Sequence, residues 1–138
     1  MPNTVPAFFY GLYMDCELLL SLGFKPGAVK KAKLDNYAID LHGLAKIIPN
    51  NNSVVWGNVI TLSEADLTAM YSFESTKSYK AENIHVTDID GNVVMVSCYN
   101  IHATPDEPFN LEYQKKLLPL LQKLAFPANY VNSIEALK

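Results

Sequence analysis

Arginine is absent: all eleven basic residues are lysine. Without a guanidinium the chain lacks the planar fork that grips a carboxylate through two parallel hydrogen bonds. An anionic substrate must then be held by lysine or by backbone N–H groups. Cysteine is nearly as scarce. Only Cys16 and Cys98 occur, too few for a disulfide framework and without the C-x-x-C spacing of a structural zinc or a redox dithiol, so a reducing, cytoplasmic setting is expected. Nowhere do eighteen apolar residues run together, and the opening MPNTVPAFFYGLYMD has no charged n-region and is broken by a glycine and two prolines. Neither a membrane span nor a secretion signal is expected. Excess positive charge is missing too: 11 basic against 14 acidic residues leave a net charge of -3, with no field to draw in nucleic acid. His42, His85 and His102 are isolated, with neither an i, i+4 partner nor an acidic cluster in ligand spacing. Asp88, Asp90, Gly91 and Asn92 echo a calcium loop but lack its final Glu. Neither metal nor cofactor is expected.

What remains is 138 residues, 49% hydrophobic and 18% charged, a size and balance that suit one domain over 1–138 with its own core. Ala7 to Tyr10 is apolar and aromatic and runs into Gly11, a strand ending in a turn. Asp15 is placed to cap a short helix through Leu22, with Leu18, Leu19 and Leu22 on one face and Gly23 to stop it. Residues 28–48 read as two or three strands. Pro49 and Asn50 to Asn52 signal a tight turn, followed by a central strand, Val54 to Ile60. The lysines at 25, 30, 31 and 33 suit a solvated strand edge.

Ser63 with Asp66 is a capping-box variant opening a helix faced by Leu67, Met70 and Tyr71 and ending near Phe73-Glu74. Strands at 82–88 and 92–101 are joined through Asp90-Gly91, a strong hairpin signal. After Pro108 the pattern turns helical, with Tyr113, Leu117, Leu120, Leu121 and Leu124 on one stripe and Pro119 as a kink or a shifted start. A last helix opens at Pro127 and carries Tyr130, Val131, Ile134 and Leu137.

Three features stand in order: an aromatic strand ending in Tyr10-Gly11, the Val55-Trp56-Gly57 strand, and Phe73-Glu74-Ser75 followed by Tyr79. The order resembles that of the gamma-glutamylcyclotransferase superfamily, of the AIG2-like or gamma-glutamylamine cyclotransferase type. Glu112-Tyr113 and Phe126-Pro127-Ala128-Asn129-Tyr130 resemble that superfamily's closing segments. The resemblance spans Phe8 to about Leu137 and implies an α+β fold, a small mixed β-barrel with flanking helices.

It also implies an enzyme that cyclises a small gamma-glutamyl amine, amino acid or peptide to 5-oxoproline and releases the amine. By the same resemblance Glu74 is the general acid and base. Backbone N–H groups of the Tyr10-Gly11-Leu12-Tyr13 loop receive the substrate's carboxylate or its developing oxyanion, and Tyr79 shapes the pocket. The substrate's α-amine must lose a proton before it attacks, and the departing nitrogen must gain one. One carboxylate does both, best with its pKa raised from about 4.3 toward the amine's roughly 7.7–8.0 by an apolar pocket. Phe73, Tyr71 and Tyr79 are expected to supply that pocket.

The sequence departs from the pattern at Leu12, where a Ser or Thr is usual, at Met70-Tyr71 in place of Leu-Asp, and at Ser75 in place of Gly. Taken by residue type, Glu74 is a solvated carboxylate at a helix end; the ordered motifs favour catalysis. Trp56 reads as packing and Gly57 as a bulge or a close backbone contact. Cys16, near the loop, reads as a structural thiol before a nucleophile. The alternative to an enzyme is a non-catalytic small-ligand-binding module on the same fold. Oligomeric state is left open.

Overall fold

The computed structural model describes residues 3–73, 76–101 and 107–137. Five strands, β1 (Thr4–Phe9), β2 (Val29–Asp40), β3 (Lys46–Ser63), β4 (Lys80–Asp88) and β5 (Val93–Asn100), close into a barrel in the spatial order β1-β3-β2-β4-β5. Neighbours pair antiparallel except at the closure, where β5 lies parallel to β1 with Ala7 beside Ser97 and Phe8 beside Cys98. Helices α1 (Cys16–Ser21), α2 (Glu64–Met70), α3 (Leu111–Lys123) and α4 (Ala128–Glu135) flank it. This is the mixed barrel with flanking helices that the resemblance implies.

Local chemistry starts two helices and turns one hairpin where expected, although α2 ends at Met70, short of the expected end near Phe73. The Asp15 carboxylate accepts from Glu17 N–H at the head of α1, and the Ser63 hydroxyl accepts from Asp66 N–H at the head of α2. Between β4 and β5, the Asp88 carboxylate accepts from Asp90 and Asn92 N–H and fixes the turn. Pro119 lies inside α3 without ending it. Proline has no N–H to give the Lys115 carbonyl, and both residues are exposed to solvent. Leu117, Leu120 and Leu121 of α3 and Tyr130, Val131 and Ile134 of α4 join Phe8, Ile60 and Leu62 of the barrel in one buried cluster.

Two expectations are corrected. The Asn run is no turn between strands. Asp35 faces Val54 and Tyr37 faces Pro49, so residues 50–53 of β3 bulge against Asn36 alone. Asn36 and Asn52 take φ of 65° and 67°, a left-handed region that asparagine tolerates better than most residues. The turn chemistry is real, but it makes a bulge inside a long strand, and the reversal comes earlier, between Asp40 and Lys46. The lysines do not mark an edge either, because β2 sits between β3 and β4. Lys30 pairs with Asp88 and Asp90, and the Lys31 ammonium stands 5.5 Å from the centre of the Phe126 ring.

Candidate active site

Gly57 decides where β1 can end. A Cβ there would lie 2.1 Å from the Phe9 carbonyl oxygen, so only glycine lets β1 cross β3 this closely, the close backbone contact and not the bulge of the two alternatives the sequence left open. Beyond Phe9 the chain leaves the sheet through Tyr10-Gly11 into a single 3-10 turn, Leu12–Met14, and then α1. The turn is pinned from below by buried Asn58, whose Nδ2 donates to Met14 O at 3.1 Å. From the side, the Tyr13 hydroxyl donates to Met70 O at 3.2 Å, at the end of α2.

A cleft of about 310 Å³ opens where β1 and β5 finish and β4 begins. Phe8 through Tyr13 form one wall; Tyr71, Thr76, Tyr79 and Tyr99 form another; Leu18, Leu44, Ala45, Asn110 and Tyr113 complete it. All five loop and pocket residues expected from sequence, Tyr10, Gly11, Leu12, Tyr13 and Tyr79, meet here. The aromatic packing is specific: Tyr71 stacks on Tyr99 at 3.8 Å and meets Tyr13 and Tyr79 edge-on, each at 5.8 Å. Several phenols are spent inside the protein. Tyr10 donates toward Tyr99 O and Asn100 Oδ1, and Tyr79 donates to Ala45 O. Burial, reinforced by neighbouring side chains, holds the Tyr10 and Tyr71 hydroxyls well above their ordinary pKa, and burial likewise raises Tyr79. All three remain neutral donors near pH 7.

Tyr113, from the first turn of α3, reaches across to the loop. Its oxygen accepts from Leu12 N–H at 3.0 Å, so that backbone donor is engaged by a phenol. Gly11 makes room for the contact, since a Cβ there would lie 2.1 Å from the Tyr113 oxygen but 3.4 Å from its Cζ. Gly11→Ala is therefore expected to cost about 2 kcal/mol by overpacking. In a Tyr113→Phe background, where the nearest atom sits at ordinary contact distance, most of that cost should vanish. Thermal unfolding of the four proteins checks it: a coupling of at least about 1 kcal/mol is expected, and additive effects would contradict the geometry.

Among the described lining residues there is no carboxylate, imidazole or lysine. Glu74 and Ser75 lie outside the described residues, as does His102. The described chain on either side of Glu74 borders the cleft: Tyr71 and Thr76 line it, the Thr76 hydroxyl donates to Met70 O at 2.8 Å, and Thr76 and Lys77 N–H both bond Phe73 O. Phe73, expected in the pocket, does not line it and is 43% exposed. The Cys16 thiol is pushed up by burial and by Asp15, the opposite of an activated nucleophile.

Sequence reasoning gave no site role to Asn58, Tyr99, Asn110 or the Leu44-Ala45 turn. That turn is held by Lys46, a buried lysine whose ammonium donates to His42 O at 2.6 Å and pairs with Asp40 at 3.3 Å. A polar Asn58 amid the apolar run from Val54 to Ile60 was the one available signal.

A model of the family described as gamma-glutamyl cyclotransferase, AIG2-like, matches residues 7–117, from β1 into α3. No curated protein matches the sequence. Among solved structures, a gamma-glutamyl cyclotransferase superposes with a TM-score of 0.82 at 17% identity, covering 99% of this chain and 89% of its own. An uncharacterized human protein superposes with a TM-score of 0.81 at 20% identity, covering 98% and 88%. A yeast gamma-glutamyl cyclotransferase specific to glutathione gives 0.67 at 11% identity, covering 96% and 94%. At these identities the structural likeness speaks for the fold, and the matched residues speak for descent: the chain belongs to the gamma-glutamyl cyclotransferase, AIG2-like family.

Proposed function

We propose that this protein cyclises a small gamma-glutamyl compound, an amine, amino acid or peptide, to 5-oxoproline, with Glu74 as the general acid and base. The observation that carries the reading is the cleft itself. Its described lining holds hydroxyls, amides and apolar rings but no proton-transfer group that titrates near neutral pH, and the described chain bordering it brackets position 74. The α-amine attacks the γ-carbonyl and forms the ring C–N bond, and the bond to the departing nitrogen breaks. Glu74 takes the proton from the attacking nitrogen and returns it to the leaving one, so no water is consumed.

A volume of about 310 Å³ stands at the small end of ligand sites, which run from about 300 to 1,000 Å³. With no arginine in the chain and no lysine among the described lining residues, the substrate's carboxylate is left to neutral donors such as backbone N–H groups of the Gly11 loop. The resulting apolar surroundings raise a carboxylate's pKa in the direction the mechanism needs.

The test is 5-oxoproline release from a panel of gamma-glutamyl dipeptides, glutathione and gamma-glutamyl amines. Release from at least one member is expected. Binding of a panel member in the cleft without release from any would contradict the reading and support a binding module.

A further inference from the structure

Tyr113 brings to the Gly11 loop a hydroxyl with its proton still to give. Its oxygen accepts from Leu12 N–H at 3.0 Å, and a phenol that accepts one bond keeps a donor. No partner for that proton occurs among the described residues, whereas Tyr10, Tyr13 and Tyr79 spend theirs on protein oxygens. Gly11 admits the phenol, as the 2.1 Å approach to a built Cβ shows. Leu12 has no hydroxyl of its own. The phenol is also aimed from behind. Tyr113 N–H donates to Asn110 Oδ1 at 3.0 Å, and Asn110 Nδ2 donates to Gly43 O at 3.2 Å, tying the first turn of α3 to the loop between β2 and β3.

From these contacts we infer that Tyr113 is a catalytic residue, its hydroxyl donating to the substrate's γ-carbonyl oxygen as negative charge develops there. The inference rests on the cyclotransferase reading. When the α-amine attacks, the carbonyl π pair moves onto oxygen, and when the leaving nitrogen departs the pair returns. The phenol proton stays on Tyr113 throughout. Burial pushes its pKa up to about 12, with the Leu12 N–H pulling the other way, so it is a neutral donor over the working pH range. The Leu12 N–H behind it polarises the bond it gives, and an apolar cleft strengthens that bond further.

Tyr113→Phe keeps the ring and removes the hydroxyl. The expected result is a fall of about 10²-fold in kcat for 5-oxoproline release with KM within about twofold. An unchanged kcat overturns the inference. So does a raised KM with kcat intact, which moves Tyr113 to binding the substrate's carboxylate. Should the Phe variant fail to fold, 3,5-difluorotyrosine at position 113 keeps the hydroxyl and lowers its pKa; the alkaline limb of kcat must then move to lower pH, and a stationary limb overturns the inference. Active wild type beside an unimpaired Tyr113→Phe sinks this inference alone. Wild type that releases no 5-oxoproline from any panel member contradicts the cyclotransferase reading and takes the inference with it.

Discussion

Glu74→Gln is expected to keep the fold and the substrate affinity while turnover falls by about 10² to 10⁴-fold, the usual range for losing a positioned general acid and base. Gln matches Glu in size and keeps a polar end, but it neither takes a proton from the attacking amine nor returns one to the leaving nitrogen. Thermal unfolding should therefore match wild type, and equilibrium binding should change little. The pH profile carries a second signature. A carboxylate base works when ionised, so wild-type kcat/KM falls as pH drops through the Glu74 pKa. In the Gln variant the residual rate should instead follow ionisation of the substrate's α-amine, well above the carboxylate's range, because the free amine must then attack unaided. An acid limb that is the same in both proteins would contradict the role given to Glu74.

Gly57→Ala should cost about 3 kcal/mol or more, a large share of a domain stability of roughly 5–15 kcal/mol. The new methyl meets the Phe9 carbonyl oxygen at 2.1 Å and two Phe8 ring carbons at 3.0 Å. Phe8 is 1% exposed and Phe9 3%, and Phe9 pairs in register with Asn58, so no flexible side-chain end can give way. Relief requires β1 to lift off β3, and that carries the Gly11 loop away from the cleft. Thermal unfolding followed by circular dichroism checks this; a variant with wild-type stability would mean that the two strands do not approach as described.

Both residues were visible in the sequence through the order of its motifs. Gly57 lies in a short motif whose order along the chain has meaning, and a glycine within an apolar strand already implies a bulge or a close neighbour. Glu74 was singled out by motif order too, since an isolated Glu at a helix end carries no signal of its own. The hairpin at Asp90-Gly91 and the caps at Asp15 and Ser63 were legible because the bonds that make them lie within about four residues of one another.

Long-range geometry was not. The parallel closure of β5 on β1 depends on residues some ninety positions apart and leaves no periodicity to read. The bulge at Asn50 to Ser53 shares its composition with a hairpin turn, and only pairing on both flanks separates the two. Tyr113 read as part of the apolar stripe of α3, which fixes the face it occupies. That its hydroxyl meets Leu12 N–H, 101 residues earlier, required the fold.

The central claim is that the substrate's own amine, and not water, attacks the γ-carbonyl. The most direct measurement is to quantify 5-oxoproline, glutamate and free amine together during turnover of the best panel substrate by wild-type protein. The account predicts 5-oxoproline and amine in equal amounts with no glutamate formed. Glutamate appearing with the amine in place of 5-oxoproline would make the protein a hydrolase and contradict it.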